Sequence, residues 1–235
     1  MTKVKAGDRD SLFSEGILNF FSALRAPGNL PGDVEILWPF DTPEVIRVMK
    51  SFYTRFFSDR EKRIFLIGIN PGRFGAGVTG ICFTDPPRLA EDCLIPHGLI
   101  GGRELSSDFV YRTIAAFGGP ESFYRRFYIT ALSPVGYIRN GKNLNYYDVK
   151  GMSESLDAWM ADAMSLQIDA GCNRQVAFSM GQGENFRQLQ AFNERHGFFG
   201  RIEPLPHPRW VMQYRRKRLD EFIGLYLEKL KEAAQ

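Results

Sequence analysis

Four short apolar runs constrain this chain more than anything else in it: RIFLIGI (63–69), RFYITAL (126–132), QVAFSM (175–180) and RIEPLP (201–206). Each is bounded by glycine, proline or charge, and each has the length of a strand rather than of a helix. Stretches with apolar residues at helical spacing lie between them, near 104–117, 153–170 and 184–196. Strands that alternate with helices favour a parallel sheet, because a parallel pair needs a long crossover and a helix supplies it. Two more helices precede the first run. One covers 11–26 and stops before PGNLPG; the other covers 42–57, with Thr42 as N-cap and Pro43 at the first helical position. A last helix is expected over about 212–233, carrying Leu219, Phe222, Ile223, Tyr226, Leu227 and Leu230. No repeat, linker or low-complexity segment divides the chain. Residues 1–235 therefore read as a single α/β domain, a central four-stranded, mostly parallel sheet flanked by helices on both faces.

At 235 residues, 44% of them apolar, such a domain buries enough core to need neither disulfide nor metal. The three cysteines, Cys82, Cys93 and Cys172, are odd in number and lack CxxC spacing, which argues against a disulfide framework and a zinc site. They suit a reducing compartment, and a cytoplasmic protein is expected. No segment approaches about 18 uninterrupted apolar residues, so contact with a membrane is not expected. The opening MTKVKAGDRD lacks the apolar stretch of a signal peptide. The net charge of +3 says little; YRRKR at 214–218 says more, although such runs are often solvated helix faces.

In a parallel sheet, ligands bind beyond the carboxyl ends of the strands. The stretches after the four runs are NPGRFGAG, SPVGYIRNGKN, GQGEN and HPRWVMQYRRKR, so one face should gather Asn70, Ser133, Gly181 and His207. The first loop, GINPGRFGAGVTGICF (68–83), matches neither GxGxxG nor GxxxxGK[ST], which weakens a nucleotide-cofactor reading. It is either a cradle for a ligand or a tight strand exit whose glycines need positive φ. His207, inside PLPHPRW, would by itself pass for an ordinary loop histidine.

Together these motifs resemble the uracil-DNA glycosylase superfamily, in particular its single-strand-selective monofunctional branch. The first motif of that branch reads G-M-N-P-G-P-F-G and continues to T-G-x-x-F; this chain has GINPGRFG and TGICF at the same spacing. YITALSPVGYIRNGKNL (128–144) parallels a family stretch containing N-x-C-P and G-R-N-L, and HPRW stands where the family has H-P-S-P. EILWPFDTPEVIRVMKSFY is similar to the lead into the family's first strand, so the match runs from about residue 34 onward.

The resemblance implies a monomeric, monofunctional DNA glycosylase that needs no metal or cofactor. It would flip a deaminated base, uracil foremost, out of DNA and hydrolyse its bond to the sugar. Asn70 and His207 become the catalytic residues. Asn70 has no useful pKa and would orient the attacking water; His207 would donate to the oxygen of the departing base. Phe83 matches the aromatic platform under the base, although one of twenty phenylalanines is also a natural core residue. Gly72 stands where strictly uracil-selective relatives carry a tyrosine. Backbone N–H groups of the 69–74 loop, from Ile69 to Phe74, would add donors. Beyond His207, Trp210, Val211 or Met212 would fill the gap left by the flipped base. Arg209, Arg215, Arg216 and Lys217 would hold phosphates, and a polyanion would relieve the conflict between cations and a helix start.

One departure matters. Ala131 stands where the family reads the base with an asparagine, and Ser133 replaces its cysteine. A methyl group forms no hydrogen bond, so either Ser133 takes over the contact or selectivity broadens to deaminated purines such as hypoxanthine and xanthine. A catalytically silent DNA-damage-binding module is the alternative of a different class. The retained Asn70 and His207 argue against it, since binding alone needs neither.

Overall fold

The computed structural model describes residues 11–28 and 30–235; the N-terminal MTKVKAGDRD, weighed above as a signal segment, lies outside them. In chain order the elements are α1 (Phe13–Ala23), β1 (Glu35–Leu37), a 3-10 turn (Pro39–Asp41), α2 (Pro43–Phe57), β2 (Arg63–Gly68), α3 (Ala76–Thr79), α4 (Pro86–Glu91) and α5 (Leu105–Phe117). Then follow α6 (Pro120–Tyr124), β3 (Phe127–Ala131), β4 (Gly136–Arg139), β5 (Lys142–Leu144), α7 (Met152–Asp169), β6 (Cys172–Met180) and α8 (Glu184–His196). The chain closes with β7 (Arg201–Leu205), α9 (Pro208–Tyr214), a second 3-10 turn (Arg216–Arg218) and α10 (Leu219–Ala233).

The four apolar runs form one parallel sheet in the order β3-β2-β6-β7. Every residue of β2 and β3 is buried, as strands covered on both faces must be. Phe65 pairs with Tyr128, and Tyr128 shows what covers that face: its ring lies 5.4 Å from Phe13 of α1 and 5.9 Å from Phe57 of α2. Its hydroxyl donates to Gln167 of α7 at 3.1 Å. The next pair, Leu66 and Ile129, meets Val110 of α5 and Tyr226 and Leu230 of α10 on the opposite face. β2 has β3 on one side and β6 on the other, so the chain reverses its winding there. A crevice opens at such a switch point, beyond the carboxyl end of β2.

Two features depart from the expected arrangement. β1, β4 and β5 form a separate antiparallel ribbon, with Leu37 opposite Gly136 and Tyr137 opposite Leu144. Strands of three or four residues are too short for alternation to announce them. The ribbon packs closely on the first loop: a Cβ on Gly136 would collide with the Pro71 carbonyl and lie 2.8 Å from Leu37. The helix expected over 212–233 is instead divided. α9 ends at Tyr214, the cations occupy the 3-10 turn, and α10 restarts with Asp220 and Glu221 in its first turn. Acidic residues there satisfy the helix dipole, which the cations, lying just ahead of it, do not.

Candidate active site

Beyond the carboxyl ends of β2 and β3 lies a pocket of about 340 Å³. Ile69, Asn70, Gly72, Phe83, Ala131 and His207 all line it, as do Arg209, Glu104, Asn143 and Asn145. The loop after β2 is tied to the loop after β3 by backbone bonds, Leu132 N–H to the Gly68 carbonyl (3.0 Å) and Ser133 N–H to that of Ile69 (3.1 Å). Gly68 itself admits Phe83, since a Cβ there would sit 2.8 Å from the ring. Phe83 adopts φ of 53°, a left-handed conformation that a bulky residue rarely holds. Strain of this kind persists where the surroundings impose it, and here it belongs to a residue that lines the pocket.

Asn70 is held by the end of β5, by Tyr146 just past it and by its own neighbour Pro71. Its Nδ2 donates to the carbonyls of Leu144 (3.2 Å) and Pro71 (3.4 Å), and its Oδ1 accepts from the Tyr146 N–H (3.3 Å). These partners fix which end of the amide is oxygen. Both amide protons are spent on protein carbonyls, while Oδ1 keeps a lone pair for an O–H donor. The group can therefore turn a water so that its own lone pair points away, but it cannot remove a proton.

His207 caps α9, its Nδ1 accepting from the Arg209 N–H at 3.1 Å. That bond places the proton of the neutral ring on Nε2. Gly181, just past β6, lies beside the ring: a Cβ there would meet Cδ2 at an ordinary contact distance of 3.6 Å. Burial, and then the positive charge of Arg209, pull the imidazole pKa down from 6.5 to about 4. The ring is thus a neutral N–H donor at physiological pH. Cys82, beside Phe83, is pushed up to about 12 by burial, so it adds an unreactive thiol to the wall.

Other sequence expectations meet different surroundings. Ser133 does not line the pocket; it is fully buried, its hydroxyl donating to the Val135 carbonyl (3.0 Å) and sharing a bond with the Tyr137 hydroxyl (2.9 Å). A hydroxyl so engaged is not available to a base. Phe74 also lies outside the lining, half exposed, with the Arg73 guanidinium 4.5 Å above its ring. Val211 and Met212 are buried where α9 packs on α5, so neither projects as a wedge. Trp210 is 38% exposed and remains available for that place. Arg215 stacks on it at 4.8 Å, and Arg218 pairs with Glu221. Arg216 and Lys217 are exposed and have no acidic partner among the described residues.

Glu104, Asn143 and Asn145 were not anticipated. The two asparagines flank Leu144, Asn143 inside the 128–144 stretch that carried the resemblance and Asn145 just past it, and Asn143 accepts the Arg73 N–H at 3.1 Å. Among the described residues no cluster of His, Cys, Asp or Glu could hold a metal ion. No helix among them is long and apolar enough to cross a membrane.

A family model, the uracil DNA glycosylase superfamily, matches residues 54–231. No curated protein matches the chain. Among solved structures it is similar to wild-type SMUG2 of Pedobacter heparinus, at 36% identity and a TM-score of 0.90, over 94% of this chain and 98% of that one.

Proposed function

Because this chain belongs to the uracil DNA glycosylase superfamily, we propose that it is a monofunctional DNA glycosylase that hydrolyses the bond between a flipped, deaminated base and its sugar. One observation carries this reading: an amide that can orient water, a neutral imidazole that can donate and the aromatic Phe83 line one pocket. In this reading the extruded base stacks on Phe83, and Asn70 Oδ1 holds a water against the anomeric carbon. As the bond breaks, negative charge gathers on the base and His207 Nε2–H stabilises it. A neutral donor suffices, because the charge is hydrogen-bonded rather than neutralised. Among the described residues no lysine lines the pocket, which favours hydrolysis over a covalent imine with the sugar.

The test is an abasic-site assay on oligonucleotides that each carry one altered base, followed by alkali. Strand scission on a uracil substrate is expected; intact strands with every base would reject the reading.

Ala131 favours a broader substrate range. It is buried, pairs with Gly68 at the sheet end and lines the pocket, so that stretch of wall offers a methyl group and no hydrogen bond. The wild type should release uracil and at least one of hypoxanthine and xanthine. Ala131→Asn should raise the ratio of uracil to hypoxanthine single-turnover rates, provided a melting curve shows that the overpacking, typically about 1–3 kcal/mol, is tolerated. An unchanged ratio in a folded variant would count against Ala131 facing the base.

The basic turn positions DNA in this proposal. Replacing Arg215 and Arg216 together should lower the log–log salt slope of duplex binding by at most about two units. A slope equal to wild type would leave that turn facing solvent.

A further inference from the structure

Glu104 has no evident task in the fold. It occupies the N-cap position of α5, yet its side chain does not cap the helix. Its backbone is fixed independently, the N–H donating at 2.7 Å to Asp85 Oδ2, a carboxylate that is fully buried and caps α4 through its other oxygen. The Glu104 carboxyl instead lines the pocket with Asn70, Phe83 and His207, and it has no hydrogen-bond or ion-pair partner among the described residues. Two glycines of the first loop make its berth. A Cβ on Gly72 would lie 2.9 Å from Oε1, and one on Gly75 would collide with Oε2. Ser107 Oγ, buried and also unpartnered, lies 3.9 Å from that same Gly75 position.

Glu104 is partly buried in that wall, and a carboxyl drawn even partly from water without a partner costs stability. Groups retained at that cost concentrate where they act on a ligand. Resting on the glycosylase reading above, we infer that Glu104 contacts the flipped base, its carboxyl pairing with an edge where a ring N–H stands beside an exocyclic oxygen. A protonated carboxyl presents an O–H next to a C=O, which complements that edge in uracil and equally in hypoxanthine or xanthine. One group thus serves pyrimidine and purine alike, while Ala131 at the sheet end makes no hydrogen bond. An ionised carboxyl would turn lone pairs on the exocyclic oxygen and set a negative charge beside a departing anion, so the neutral form is the productive one. Burial first, and then the charge of Asp85, raise the Glu104 pKa; Arg209 opposes them.

The experiment compares wild type, Glu104→Gln and Glu104→Leu in single-turnover base release on uracil and hypoxanthine oligonucleotides, from about pH 5 to about pH 9. Glutamine keeps an N–H beside a C=O and does not titrate. Its rate should stay within about threefold of wild type at neutral pH, without the alkaline decline that wild type shows. Leucine fills similar space but offers no hydrogen bond, and should slow both substrates by about 10²-fold or more. Both variants should melt no earlier than wild type, since no contact of the fold is lost. If the leucine variant does melt early, the glutamine profile decides alone. A leucine variant at full rate, or a glutamine variant that keeps the alkaline decline, overturns the assignment. Wild type inactive on every substrate overturns the glycosylase reading and this inference with it, whereas an active wild type with an indifferent leucine variant overturns Glu104 only.

Discussion

Asn70→Ala should slow single-turnover base release by about 10²–10³-fold while DNA affinity stays within a few-fold of wild type. In the proposed mechanism the amide orients water, a role supported by its own restraint: three backbone groups hold Nδ2 and Oδ1, leaving one acceptor direction free. Alanine leaves water in the pocket but removes what aims it. Binding should survive, because phosphate contacts and stacking on Phe83 do not pass through Asn70. Base-release rates measured beside an equilibrium binding titration check both halves. A folded variant with near-normal turnover would remove Asn70 from the mechanism.

His207→Ala should cost about 10²–10³-fold in the same assay, the usual loss when one preorganised donor to a developing anion is deleted. The variant also loses the cap on α9, worth about 1 kcal/mol, so a melting curve must accompany it. The depressed pKa adds a pH signature. The folded ring titrates at about 4 and the unfolded one near 6.5, so between those values the unfolded chain binds the extra proton. Stability from this group is complete above 6.5 and is lost as pH falls towards about 4. The Nε2–H donor likewise persists through 6.5, so His207 should impose no acid limb on the rate until pH approaches about 4. An NMR titration of the His207 ring with a midpoint at 6.5 would contradict this.

The central sheet was legible because β2 and β3 are covered on both faces, which leaves continuous apolar runs in the sequence. The rule for strand ends then located Asn70 and His207, since both follow strands of that sheet. Glu104 escaped the same rule: it follows a long irregular loop and starts a helix, so no strand end pointed to it. Val211 and Met212 sit beside Trp210 in a basic segment, and adjacency alone could not say that α9, packed on α5, buries them. Ser133 stood at a strand exit as expected, but its hydroxyl was claimed by Tyr137, a partner from the ribbon that the sequence did not reveal. Short strands carry too little pattern to be read, and here they hold the Asn70 amide and claim the Ser133 hydroxyl.

That ribbon has a further consequence. The Asn70 amide stands at the end of β2, but two of its three tethers come from Leu144, the last residue of β5, and from Tyr146 just past it, and β5 is an edge strand of mostly exposed residues. Edge segments of this kind open far more often than the molecule unfolds. Each opening would release Asn70 while leaving the pocket floor and the basic turn in place. The protein would then pass through brief intervals in which it holds DNA without cutting the base free. On warming, chemical output should fade at temperatures where circular dichroism still records a native fold, and it should return in full on cooling.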